Sequence, residues 1–229
     1  MQAKHKMKAD APPLHAVYHE LHRAWGPQHW WPGRTRFEMI AGAILTQNTA
    51  WTNVEKALRR LRREGVLQPE RMRRTDPAVL ADWIRPAGYF NLKARRLQAF
   101  TQFLAERFDG SLNRLFRLDT ETLRAALLSV NGIGPETADS IVLYAGHRPS
   151  FVIDAYTRRM LVRHGWAAPH ATYDELAALF TRALPRETRL YNEYHALLVR
   201  LGKDYCKPTP QCAACPLRHR LPKPRTCRG

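Results

Sequence analysis

The sequence predicts an all-α fold, and three observations carry that expectation. Apolar residues recur at helical spacing, as in Leu97, Phe100 and Leu104 or Leu123, Ala126, Leu127 and Val130. Helix-capping pairs, Thr35 with Glu38, Thr52 with Glu55 and Thr172 with Glu175, stand before three of these stretches. No stretch longer than four residues reads as a strand.

Taken in order, residues 1–12 are basic, polar and proline-ended, and read as a disordered tail. A first helix runs from Leu14 through Val17, Tyr18, Leu21 and Trp25, and Gly26-Pro27 stops it. Thr35 opens a second, whose buried stripe is Phe37, Ile40, Ala41, Ile44 and Leu45, and Thr52 opens a third with Val54, Ala57, Leu58 and Leu61. Asp76-Pro77 starts another through Leu80, Trp83 and Ile84. Gly88-Tyr89-Phe90-Asn91 then turns the chain into the helix of Leu97, Phe100 and Leu104, which closes near Gly110. Two helices flank Gly132-Ile133-Gly134, the second carrying Ala138, Ile141, Val142 and Ala145. Ser150 to Ile153 is a short extended run, and Asp154 begins a further helix. Thr172 caps one with Leu176, Leu179 and Phe180, and a last long helix spans Glu187 to Leu201, making roughly ten helices in all.

A chain of 229 residues can bury a real core, as one large domain or two small ones. It shows neither an apolar run long enough for a bilayer nor a signal-peptide core, so a cytoplasmic, nucleoid-associated protein is expected. The net charge of +17 and the pI near 10.4 point to a polyanionic partner, most simply nucleic acid, although an arginine-favouring genome gives the same excess. All four cysteines, Cys206, Cys212, Cys215 and Cys227, fall in the last 24 residues. Such clustering in a reducing compartment favours a metal site over disulfides.

The turn at Gly132-Ile133-Gly134 has the logic of a helix-hairpin-helix. Both glycines can adopt backbone angles closed to other residues, and Pro135 suits a first helical position. The turn therefore presents free N–H groups beside a helix N-terminus, suited to one phosphate. Asp154 taken alone is a helix N-cap, and capping also keeps a carboxylate ionised. This hairpin with an Asp some twenty residues beyond it resembles the helix-hairpin-helix DNA glycosylase superfamily, in its endonuclease III group.

The resemblance implies two helical domains flanking a base-binding cleft, residues 35–148 forming the hairpin domain and 13–34 with 149–229 the other. It implies that Asp154 is catalytic, stabilising positive charge on the sugar while water attacks. A base inside a duplex must first be flipped out and its place filled. By resemblance Gln47 in LTQNT fills the hole and Tyr89 in GYFNLKA is the wedge, while Gly132, Gly134 and Thr137 belong to the DNA-binding hairpin. The plainer readings are an exposed helix-end residue for Gln47 and partial core packing for Tyr89.

Two departures refine this. Bifunctional enzymes of the group carry a Lys where this chain has Glu136, and a carboxylate cannot form a Schiff base. Glu136 is then either a pocket residue of a monofunctional glycosylase or a first-turn acid. Ala43 stands where adenine glycosylases have a catalytic Glu, which argues against adenine removal from mispairs. The segments HWWP, LTQNTAW and GIGPETADSI most resemble the 3-methyladenine DNA glycosylase III group. That places Trp30, Trp31, Pro32 and Trp51 around an alkylated base, whose cationic ring stacks well on indole. The alternative is that Trp30 and Trp31 plug the core.

Cys206-x5-Cys212-x2-Cys215 resembles the start of an iron–sulfur loop, which implies a structural [4Fe–4S] cluster with Cys227 as fourth ligand; structural zinc is the rival. The eleven residues before Cys227 exceed the family's usual spacing. The expected partner is double-stranded DNA containing a damaged base, bound by a monomer. The leading expectation is a monofunctional glycosylase for alkylated purines. Its alternatives are an endonuclease III-like enzyme for oxidised, deaminated or mismatched pyrimidines, with lyase activity from a lysine such as Lys203, and a catalytically silent DNA binder.

Overall fold

The structure, a computed structural model, describes residues 11–30 and 33–222. The tail up to residue 10, Trp31, Pro32 and Cys227 lie outside the described residues. The regular elements among the described residues are helical: α1 (Leu14–Trp25), α2 (Arg36–Leu45), α3 (Trp51–Arg63), α4 (Pro69–Arg74), α5 (Pro77–Trp83), α6 (Phe90–Phe108), α7 (Leu112–Leu115), α8 (Thr120–Leu128), α9 (Pro135–Ser140), α10 (Ala155–Arg163), α11 (Tyr173–Ala183) and α12 (Thr188–Asp204). The all-α expectation holds. None of these helices is long and apolar enough to cross a membrane. The chain divides into two compact units, Met1–Trp30 with Ile153–Gly229, and Trp31–Val152.

In the unit Trp31–Val152, α2 is central because it is apolar nearly all round. Phe37, Ile40, Ala41, Ala43, Ile44 and Leu45 are buried, against α3, α6, α9 and the stretch that follows α9. Each large side chain placed there contributes about 1.5–3 kcal/mol. Thr35 caps α2 by accepting from the Glu38 N–H at 3.1 Å. The Glu38 carboxylate pairs with Arg62 of α3, so one buried acid ties two helices together. The Thr52 box does not form. α3 already begins at Trp51 with Ala50 as its N-cap, and Thr52 therefore lacks the extended backbone that capping needs. The short α4 and α7, six and four residues long, carry too few turns to show a periodic pattern.

The hairpin lies between α8 and α9. Gly132 has φ 86°, and an added Cβ would meet Arg96 Cγ at 2.4 Å, so this position needs glycine on two counts. Gly134 differs from the expectation: its φ is −90°, open to any residue, and nothing lies within 4 Å of an added Cβ. Beyond α9 the chain winds as a π-helix over Ile141–Ala145, a distortion often found at functional sites. Asp139 locks the hairpin: it is buried, takes a forked pair of bonds from Arg124 of α8 at 2.8 and 3.1 Å, and accepts from Ser150 Oγ at 2.5 Å.

In the other unit α12 packs on α10, and α1 packs on α11 and α12. Tyr194 donates its buried hydroxyl to the Leu14 carbonyl at 2.8 Å, fixing the start of α1. α10 and α12 approach closely at Gly202, where a Cβ would lie 2.3 Å from Tyr156 Cδ1 and 2.5 Å from Tyr156 Cβ. Because the colliding atoms are near the Tyr156 backbone, they cannot swing aside. Gly202→Ala should therefore cost about 1–3 kcal/mol, read as a lower urea midpoint at unchanged slope; an unaltered midpoint would show that the two helices tolerate separation.

Candidate functional site

Asp154 is placed by two features. Phe151, Val152 and Ile153 are buried at 1–3% exposure, and the Ile153 N–H donates to Tyr173 Oη at 3.2 Å, so the segment before Asp154 is pinned. Asp154 itself is extended, with φ −92° and ψ 179°, and accepts from the Thr157 N–H at 2.7 Å as the N-cap of α10. Its side chain is 12% exposed, and Oδ2 lies 3.6 Å from Nε2 of His195. Burial alone would raise this carboxyl. The attraction of His195 and the bond from the Thr157 N–H more than offset it and hold the group below the ordinary carboxylate range. The result is a shielded anion with limited access, a group able to stabilise a nearby cation or orient a water.

His195 was not among the residues picked out from sequence. It is 4% exposed on α12, and its ring stacks on Trp30 at 5.6 Å between centroids and 27° between planes. Trp30, half-buried, thus joins Asp154 through His195 within one unit. The signal was present. His195 shares the buried face of Tyr191, Tyr194 and Leu198, where a titratable side chain interrupts an apolar stripe.

The hairpin carries the second group of predicted residues. Gln47, just past α2, donates its amide to the Gly132 carbonyl and to Thr137 Oγ1, both at 2.9 Å, and accepts from Arg96 of α6. Gln47 and Thr137 therefore hold the turn as well as lying beside it, and Thr137 is buried. Glu136 is exposed in the first turn of α9. Trp51, half-buried at the start of α3, packs on the core and donates its indole N–H to Glu55 at 3.0 Å. Tyr89 is 68% exposed and has φ 43°, so it is not core packing.

Two lysines bear on nucleophilic chemistry. Lys203 is exposed on the last turn of α12. Lys93 of α6 is pushed down to about 8, by burial first and by the charge of Arg96 second. A depressed ammonium of this kind suits Schiff-base chemistry. Here the residue is 1% exposed and its three protons are committed to Leu45 O, Thr49 Oγ1 and Ala87 O, so no substrate carbon can reach it.

The cysteine expectation is corrected. Among the described residues no group of three or more His, Cys, Asp or Glu side chains could hold a metal ion, so neither the [4Fe–4S] cluster nor a zinc site is supported. Cys206 is buried, and its sulfur accepts from Arg163 Nη1 at 3.4 Å. Burial raises the Cys215 thiol, opposing the thiolate that metals require. Cys212 lies in a short turn beside Cys215, and Cys227 is outside the described residues. Arginines hold this segment instead. Arg159 donates to the Cys206 carbonyl at 2.5 Å, Arg163 to that of Pro208 at 2.6 Å, and Arg220 pairs with Glu20 of α1 through a 2.9 Å bond.

Comparison with known proteins places these features in context. Residues 41–186 match the HhH-GPD superfamily of base excision DNA repair proteins. A provisional DNA repair glycosylase of Methanocaldococcus jannaschii is 45% identical over 207 residues, 90% of this chain and 94% of that protein. Endonuclease III of Sulfolobus acidocaldarius is 30% identical over 81% of this chain and 82% of its own length. Among solved structures, an endonuclease III–DNA complex shares the fold at TM-score 0.79 and 23% identity, covering 91% of this chain and 93% of that one. An H. pylori 3-methyladenine DNA glycosylase bound to 1,N6-ethenoadenine aligns at TM-score 0.71 and 28% identity, covering 83% and 95%.

The lowered carboxyl of Asp154 has a consequence for stability. A group with a depressed folded-state value binds its proton more readily in the unfolded chain. Its stabilisation is therefore present above the unfolded value of about 4 and lost as pH falls through the folded one. Asp154→Asn keeps a capping oxygen but does not titrate. The stability advantage of wild type over Asp154→Asn should shrink as pH drops below about 4, measured by urea melts of both proteins from pH 6 downward; a constant difference would mean that the carboxyl is not held ionised.

Proposed function

Because the chain belongs to the HhH-GPD superfamily of base excision DNA repair proteins, we propose that it is a DNA N-glycosylase that releases damaged bases by hydrolysis. Asp154 carries the reading. A carboxylate that is 12% exposed and held ionised against the cost of burial stabilises the cationic sugar formed as the base departs, and activates the attacking water. At the hairpin position where the bifunctional relatives carry Lys, Glu136 supplies no amine, which supports a monofunctional enzyme. The partner is duplex DNA containing a damaged base, in keeping with the net charge of +17. Gln47, Tyr89, Gly132, Gly134 and Thr137 are the residues that meet it.

For the base itself, the weight of similarity lies with endonuclease III, and the substrate class we propose is oxidised, deaminated or mismatched pyrimidines. Alkylated purines are the second reading. Trp30, stacked on the histidine beside Asp154, favours it, because an indole face suits a cationic purine. The likeness to the ethenoadenine-bound glycosylase supports it too.

A panel of duplexes, each with one lesion (an oxidised pyrimidine, uracil, a thymine mismatch, an alkylated purine or hypoxanthine), decides among these readings on denaturing gels with and without hot alkali. Breaks confined to alkali-treated pyrimidine-lesion duplexes are expected. Breaks confined to the alkylated duplex would move the substrate to the second reading. Asp154→Asn should lower excision by roughly 10²–10³-fold or more with binding retained; an unchanged rate would remove Asp154 from the mechanism.

A further inference from the structure

Lys93 occupies a place where helix periodicity calls for an apolar residue, four positions before Leu97 on the stripe that continues to Phe100 and Leu104. For packing alone, a methionine there would avoid the cost of burying a charge. What the ammonium does instead is join two segments. It donates to the carbonyl of Leu45, the last residue of α2, at 2.7 Å; to Thr49 Oγ1 at 2.7 Å; and to the carbonyl of Ala87, before α6, at 2.8 Å. The Thr49 hydroxyl in turn donates to Ala87 O at 2.5 Å, so the three acceptors form one closed set.

The joined segments turn through positive φ at Asn48 (52°), Gly88 (66°) and Tyr89 (43°). Glycine and asparagine accept such angles readily. A tyrosine seldom takes such an angle, and persists in it only where the surroundings dictate the backbone. At 68% exposure the Tyr89 ring has little packing of its own to do that. The Lys93 ammonium fixes the chain just before it by bonding Ala87 O at 2.8 Å, while the Tyr89 carbonyl accepts the first main-chain bond of α6 from the Lys93 N–H at 2.9 Å. The side chain thus grips the chain before Gly88-Tyr89, and the start of α6 holds it after.

We infer that Lys93 is a positioning residue: it clamps residues 45–49 to 85–89 and holds Tyr89 outward in a preformed pose for insertion into duplex DNA. The inference rests on the DNA glycosylase reading. Preforming the pose removes an ordering cost that binding would otherwise bear, and that cost applies to a stacked duplex and not to a single strand.

The test is equilibrium binding to a duplex carrying one tetrahydrofuran abasic analogue and to the same strand alone, for wild type, Lys93→Met, Tyr89→Ala and the double variant, with folding checked by thermal melting. Lys93→Met should weaken duplex binding roughly tenfold, Tyr89→Ala by a similar factor, and the double variant no more than the larger single. Single-strand affinity should stay unchanged. Losses that multiply in the double variant, or equal losses on duplex and single strand, would overturn the positioning role. If Lys93→Met does not fold, the near-isosteric Thr49→Val carries the test: a duplex-specific loss that disappears in the Tyr89→Ala background supports the clamp, and wild-type binding refutes it. A wild type that binds the abasic duplex but excises no base would count against the proposed function and leave this binding cycle valid.

Discussion

Burial of Asp154 favours the neutral acid, and the Thr157 N–H together with His195 reverses that preference. Much of the unit that contains it can be read as support for this contact. Buried Ile153, bonded to Tyr173 Oη, holds the chain just before the residue, and α10 begins there because an extended Asp is a good cap. α12 must lie close enough to α10 to bring His195 within reach, and Gly202 permits that approach. Trp30 then closes over the His195 ring. A charged group kept in a poorly solvated place interacts strongly with a cation formed beside it, which is the property that hydrolysis of an N-glycosidic bond requires.

The hairpin unit uses the same device differently. Its buried charged residues, Asp139, Lys93 and Glu38, are each satisfied by partners from other helices or turns, which fixes how helices and turns meet. Gln47 and Arg96 extend this into the turn itself. The hairpin backbone is thereby fixed in advance, while Gly134 leaves its surface bare. Glu136 stands exposed beside it in the first turn of α9, and Lys93, lowered by burial, has its ammonium enclosed by three acceptors.

Much of this was legible before any coordinates. Periodicity and caps located the long helices, and Asp76, Thr172 and Asp154 cap as their local pattern implies. Short-range chemistry settles such features, so sequence suffices. It misled where competition decides the outcome. Thr52 lost its capping place to a helix that starts at Trp51, and Gly134 resembled Gly132 in letters but not in backbone angle. The cysteines illustrate a deeper gap. Spacing suggested a metal, whereas Arg159, Arg163 and Glu20, distant in sequence, hold that segment. His195 and Lys93 were visible as polar interruptions of apolar stripes, but their partners lie 41 and up to 48 residues away (195 − 154 and 93 − 45), and no local pattern names them.

The account rests most on water, not an enzyme amine, attacking the sugar. Borohydride reduction during reaction with a cleavable lesion duplex tests that directly, since it converts any Schiff base into a permanent protein–DNA adduct. Wild-type enzyme that releases base yet leaves no adduct on a denaturing protein gel is the predicted result. A covalent adduct formed in step with base release would contradict the hydrolytic role assigned to Asp154.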